Sequence, residues 1–215
     1  MAWMLLTLYN RWEKRPEWLA WAESALGFLE AHCVDADGRL FFQMTEDGKP
    51  LRKRRYAYSE AFAAIAFAAH AEATGKAASA DRARQCFEIF CDMSFVPGRT
   101  VPKFTDERPT RGLGPLMIAL VTAQEMAASL GDDQGQRTRR EEWIADIGRY
   151  FVNDGRRAVL ETVGLNGEVL DHFDGRLLNP GHAIEAAWFV MREGDASGAS
   201  GFIDLGLRML DYSWA

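Results

Sequence analysis

Within "LLNPGHAIEAAWFVM", residues 177–191, a histidine and a glutamate stand three positions apart in an otherwise apolar run. Imidazole and carboxylate are the usual instruments of general acid–base chemistry. Asn179 is a good helix N-cap and Pro180 suits the first helical position, so His182 is expected in the first turn of a helix. At about 100° per residue, Glu185 and Phe189 share its face. The positive end of the helix dipole disfavours a charged ring, and a neutral imidazole is what a general base requires. Glu185 would orient that ring or accept from a substrate hydroxyl. The competing reading is a buried histidine whose carboxylate partner only closes the helix start, and HxxE spacing alone does not separate the two. A carboxylate-bridged metal site would repeat the motif and add glutamates on facing helices. The sequence has no second copy, so no metal is expected.

A second candidate is "RRYAYSEAF", residues 54–62, where Tyr58, Ser59 and Glu60 stand at the entry to a helix. Ser59 as N-cap, with Glu60 solvated near the positive helix end, would explain the stretch without any function. The run Arg52-Lys53-Arg54-Arg55 would hold an anion or, the preferred reading, keep a strand edge solvated and unpaired. Glu161, Glu168, Asp171 and Asp174 form an acidic stretch. Paired carboxylates can hydrolyse glycosides, but nothing in the spacing makes any two of these converge. His32 reads as a helix C-terminal cation and His70 as a face residue of an Ala-rich helix. His172, in "LDHFDG", lies near enough in sequence to line the same cleft as His182. Trp188 and Phe189 read as core, with sugar stacking as the alternative.

The elements that must position these residues are mostly helical. Periodicity predicts helices near 2–13, 16–33, 57–74, 79–94, 113–130, 137–153, 180–193 and 198–213. Pro16 opens one, Pro115 lies in the first turn of another, and Gly75 and Gly131 close two more. Two segments break the pattern, around Asp47-Gly48 and around Asn166-Gly167, and both read as β-hairpins. No linker or composition break divides the 215 residues, which predicts a single domain over 1–215 with paired helices in an α/α array. A net charge of −6 argues against a general nucleic-acid binder. Cys33, Cys86 and Cys91 form no ligand-spaced set, and read as reduced thiols of a cytoplasmic protein. No apolar stretch reads as a membrane span, and the N-terminus lacks the pattern of a signal peptide.

Taken together, "GRLLNPGHAIEAAWFVM", "YSEAFAAIAFAAHAEATG", "AVLETVGLNGEVLDHFDGR" and "MAWMLLTLYNRWEKRPEWL" resemble the N-acylglucosamine 2-epimerase family along the whole chain. The resemblance implies an all-α fold, an (α/α)6 barrel with two short hairpin inserts and a site at one mouth. It implies interconversion of N-acyl-D-glucosamine and N-acyl-D-mannosamine without a redox cofactor. A base removes the C2 proton of the ring-opened sugar, and an acid on the other face returns one. The family uses two histidines and an arginine. His182 matches the first histidine, Glu185 the glutamate of its motif, and Tyr58 and Glu60 match positions lining the barrel mouth. Asn179 falls in the same motif, as a substrate-binding candidate.

Cellobiose 2-epimerases and aldose–ketose isomerases share the barrel. Asn179-Pro180 and Tyr58-Ser59-Glu60 look more like the N-acyl-sugar branch, whereas the cellobiose branch resembles "YGQAF". The family's chains are close to twice as long. The resemblance therefore implies a barrel lacking its first helix and its C-terminal part, and with them the arginine and the second histidine. An exposed apolar seam would follow, covered in a homodimer or by a complementary second-half chain. A truncated helical module that binds a sugar and catalyses nothing is the remaining alternative.

Overall fold

In the computed structural model, which describes residues 1–131 and 134–214, contacts group the chain into two compact units. One comprises Met1–Val101 and the segment beginning at Glu125; the other comprises Pro102–Gln124 and the segment beginning at Gln134.

The first unit starts with helices α1 (Ala2–Arg11) and α2 (Pro16–His32). The hairpin expected at Asp47-Gly48 follows, as β1 (Gln43–Met44) and β2 (Pro50–Arg52), with Gln43 opposite Arg52 and Met44 opposite Pro50. Gly48 turns the chain at φ +80°, a left-handed conformation that glycine adopts without steric cost. Helices α3 (Tyr58–Thr74) and α4 (Ala77–Phe95) complete the unit. α3 is alanine-rich because it packs against both α1 and α4, and small residues such as Ala64 and Ala68 are fully buried. His70 is structural, with Nδ1 2.8 Å from Ser79 Oγ and Nε2 3.2 Å from Glu23. Cys86 and Cys91 are buried core residues, and burial pushes the Cys86 thiol up to about 11.

The cationic run is not simply solvated. Lys53 pairs with Asp35 at 2.5 Å and Asp37 at 2.6 Å, while the Arg52 and Arg54 guanidinium groups lie over the Phe42 ring. The start of α3 also differs from expectation. Ala57 occupies the N-cap position, Ser59 lies inside the helix, and Glu60 is buried rather than solvated.

The second unit opens with β3 (Arg111–Gly112) and the part of α5 (Leu113–Leu130) that ends at Gln124. At 18 residues, α5 is long and apolar enough to cross a membrane by length and composition, which corrects the expectation that no stretch is. Half of it is buried within the protein, including Leu113, Leu116, Met117 and Leu120, so its apolarity serves packing. α6 (Gln134–Asp146) gives way to a π-helical turn at Ile147–Phe151, where a single helix to residue 153 was expected. Gly148 weakens the helix, and Val152 favours a strand.

That strand moves the second hairpin. β4 (Val152–Asn153) pairs with β5 (Ala158–Val159), and β6 (Thr162–Val163) pairs with β3, with Arg111 opposite Val163. The Asn166-Gly167 turn forms, closed by the Gly164 amide on the Glu168 carbonyl at 2.9 Å. The extended run before it has found better partners upstream. A four-residue helix, α7 (Phe173–Arg176), replaces the expected loop.

Helices α8 (Pro180–Ser197) and α9 (Ser200–Trp214) form the closest helix pair in this unit. The approach is tight enough that a Cβ on Gly206 would stand 2.3 Å from Met191 Cγ and 2.8 Å from the Ala187 carbonyl. α8 is tied to α6 through a buried pair. Arg140 Nε lies 2.9 Å from both Glu193 carboxylate oxygens, and Gln124 Nε2 donates to Glu193 at 3.0 Å and to the Phe189 carbonyl at 2.9 Å.

Candidate active site

The start of α8 is fixed as its sequence suggests. Asn179 Oδ1 accepts the His182 amide at 3.3 Å, and the Asn179 carbonyl accepts the Ala183 amide at 3.0 Å. The cap satisfies donors that a helix end otherwise leaves open, and Pro180 has none to satisfy. His182 therefore stands in the first turn with its backbone anchored. Its side chain is 41% exposed.

The ring is held by a residue that spacing did not select. His182 Nδ1 lies 3.0 Å from Glu161 Oε1 and 3.1 Å from Glu161 Oε2. Glu161 directly precedes β6 and is 21% exposed at its side chain. Glu185 is exposed one turn along α8, and among the described residues the partner of the His182 ring is Glu161, so Glu185 is not the group that orients the ring. A carboxylate only accepts hydrogen bonds. In the neutral ring the proton accordingly sits on Nδ1, and Nε2 presents its lone pair. An anchored imidazole with an available basic nitrogen is a competent general base.

The rest of the acidic stretch disperses, and no glycosidase-like pair forms from it. Glu168 binds the Asn166 amide and side chain, Asp171 pairs with Arg176 at 2.6 Å, and Asp174 pairs with Lys103 at 3.3 Å. His172 is the N-cap of α7, and its Nδ1 accepts the Gly175 amide at 3.3 Å. Among the described residues, no group of three or more His, Cys, Asp or Glu side chains is arranged to hold a metal ion.

Tyr58 and Glu60 belong to the first unit. Tyr58 opens α3, half-buried, stacked on Tyr56 at 5.5 Å between ring centroids. Glu60 Oε1 accepts from Arg39 Nε and from the Leu40 amide, both at 2.9 Å. Arg39 also donates to the Tyr56 carbonyl at 3.0 Å. Glu60 thus fastens the segments flanking the β1–β2 hairpin to the start of α3. Its Oε2 is buried and takes no hydrogen bond among the described residues.

Glu161 could have been noticed in the sequence, because it interrupts an apolar strand, "AVLETV". Grouping it with the later acidic residues hid that signal. Its partnership with His182, 21 positions away, is a product of the fold.

A family profile described as N-acylglucosamine 2-epimerase (GlcNAc 2-epimerase) matches residues 1–215. The chain is 29% identical over 214 residues to the N-acylglucosamine 2-epimerase of Bos taurus, covering 94% of this chain and 50% of that protein. It is 26% identical over 197 residues to the Homo sapiens N-acylglucosamine 2-epimerase, covering 88% of this chain and 46% of that one. The chain thus spans about half the length of the curated relatives it matches. Among solved structures, cellobiose 2-epimerase from Bacillus thermoamylovorans B4167 superposes with a TM-score of 0.81 at 16% identity, over 97% of this chain and 57% of that one. The fold is accordingly that of the α/α barrel class, of which this chain supplies a part.

Proposed function

The chain belongs to the N-acylglucosamine 2-epimerase family, and from that premise we propose that it carries one of the two acid–base groups of an epimerase acting on N-acyl-hexosamines. The observation that supports this most directly is His182, set in the first turn of α8 with Nδ1 engaged and its side chain part-exposed. In the ring-opened sugar the C2 proton is α to an aldehyde and therefore acidic. His182 Nε2 takes that proton, and the electron pair of the C–H bond moves toward the carbonyl oxygen to give an enolate. Return of a proton to the opposite face of C2 inverts that centre, and a donor on the enolate oxygen lowers the barrier. The reaction balances without an oxidant or reductant, so no redox cofactor is required.

Glu185, exposed one turn from His182, accepts from a sugar hydroxyl in this reading, and Asn179 contributes a further contact. Within the first unit Tyr58 remains a candidate sugar contact, and Glu60 acts there through the Arg39 clasp. The resemblance implies a second base and an arginine in the portion of the relatives that this chain does not match. The unbroken family match over residues 1–215 supports reading the chain as one domain. The thiols of Cys33, Cys86 and Cys91, none of them in a disulfide, support a cytoplasmic setting.

The test is proton NMR in D2O with N-acetylmannosamine, cellobiose and mannose offered separately to the purified chain. Deuterium at C2 of N-acetylmannosamine, ahead of the other two, is the expected result. Exchange confined to cellobiose or mannose would move the chain to another branch of the barrel. A folded chain that exchanges none of the three would be a non-catalytic module.

The partner reading rests on α1. Met1, Met4, Leu8 and Trp12 are exposed at 91, 52, 38 and 84% and fall within one narrow helical face. In this reading a second copy covers this stripe in the isolated chain. Light scattering should show self-association that Met4→Lys with Trp12→Lys abolishes. A wild-type chain that stays monomeric at all concentrations would rule the homodimer out and leave a complementary second-half polypeptide as the partner.

A further inference from the structure

The geometry points to Glu161 as the positioning residue of the acid–base histidine, a role that the sequence pattern places on Glu185; this inference rests on the reading of His182 as a base. Three observations carry it.

The first is the contact itself. Both carboxylate oxygens lie within 3.1 Å of His182 Nδ1, so a small rotation of either side chain still leaves one good acceptor.

The second is how firmly Glu161 is held. The Leu160 amide donates to the Phe151 carbonyl at 2.8 Å, and the Leu113 amide donates to the Glu161 carbonyl at 3.0 Å. The next two residues pair with Gly112 and Arg111 across the β3–β6 ladder. Leu160 and Val163 are buried on either side. The carboxylate therefore projects from a backbone bonded on both flanks, and a group on such a support can hold a partner within the tolerance that catalysis needs.

The third is complementarity of direction. His182 is anchored from the helix side by the Asn179 cap, and Glu161 approaches from the strand side. Two separately supported elements thus define the ring's position, one through its backbone and one through Nδ1.

The consequence is chemical. With Nδ1–H donated to the carboxylate, the neutral ring is held as the Nδ1–H tautomer, and Nε2 is the basic nitrogen. A free imidazole side chain favours the opposite tautomer. Glu161 therefore selects which nitrogen can take a proton, and it stabilises the imidazolium formed once the proton has been taken. Its carboxylate accepts the Nδ1–H bond and does not itself carry the substrate proton. The same division of labour operates in hydrolase triads, where the carboxylate orients the histidine without becoming protonated.

The test reads the tautomer directly. Long-range 1H–15N spectra of histidine-labelled protein, recorded where the ring is neutral, should show His182 protonated at Nδ1 in the wild type, with assignment by the peak lost in His182→Ala. Glu161→Ala should transfer the proton to Nε2. It should also lower the rate of C2 exchange at least tenfold, through kcat rather than KM, with Glu161→Asp recovering part of that loss. A wild-type ring protonated at Nε2, or one unchanged in Glu161→Ala, would overturn the assignment. The wild-type spectrum decides the point even if the alanine variant folds poorly. Because the tautomer is read without sugar, its outcome is separable from that of the exchange experiment. An Nδ1–H ring in a chain that exchanges no sugar would uphold the positioning geometry and reject the epimerase reading.

Discussion

His182→Ala is expected to reduce C2 proton exchange by roughly 10³-fold, within the range that a positioned general base contributes. The loss should appear in kcat, because the ring acts on the proton in flight and holds little of the sugar's binding energy. The substitution leaves the start of α8 intact. The Asn179 cap receives the backbone amide of residue 182, which alanine retains. The ring is part-exposed, so no cavity opens in the core. Thermal unfolding followed by circular dichroism should therefore move by only a few degrees, and a chemical defect can be told from a folding one. Proton NMR in D2O makes the measurement. Exchange at the wild-type rate in a folded His182→Ala variant would remove this residue from the reaction.

The largest effect on stability is expected at the other end of the same helix. Glu193→Ala should cost about 3–5 kcal/mol, the range seen when one member of a buried ion pair is removed. Arg140 and Glu193 are 4% and 3% exposed, and Gln124 is 6% exposed. Alanine takes one acceptor from the Arg140 guanidinium and one from the Gln124 amide, in a site that is buried on all three residues. For a chain of this size the melting temperature should fall by roughly 10 °C. Glu193→Gln keeps an acceptor and should lose less. Combining Glu193→Met with Arg140→Met should recover much of the loss, because replacing a buried pair is far cheaper than breaking one. A single Glu193→Ala variant that melts with the wild type would show that the pair contributes nothing. Since α8 also carries His182, the same variant should slow C2 exchange to the extent that the helix start shifts.

Much of this protein is legible in one dimension because it is made of local decisions. Helix starts and stops follow from Asn179-Pro180, Gly75, Gly131 and Pro16, whose effects act within a turn of where they stand. The apolar periodicity that marks α4 reports burial of one helix face, also a short-range pattern. The first hairpin forms at Asp47-Gly48 because its turn is closed locally, with the Thr45 amide on the Lys49 carbonyl and the Gly48 amide on the Thr45 carbonyl. His182 was visible for the same reason, since cap, proline and histidine are consecutive. Its motif also carried the family resemblance that the chain-long match established.

What escaped was decided by pairing across distance. The extended run before Asn166-Gly167 had a turn beside it and still paired elsewhere, because Val152–Asn153 and Arg111–Gly112 offered it ladders in the folded chain. Glu60 reads as a solvated helix-start carboxylate until Arg39, 21 residues earlier, is folded onto it. Glu161 reads as one acidic residue among several until β6 brings it to within 3.1 Å of His182. A charge placed next to a base by sequence spacing, as Glu185 is, can be directed outward by the helix that carries both. The proposed base was written locally, whereas the carboxylate that holds it was chosen by tertiary structure, because a buried or ordered charge must find its partner wherever the fold provides one.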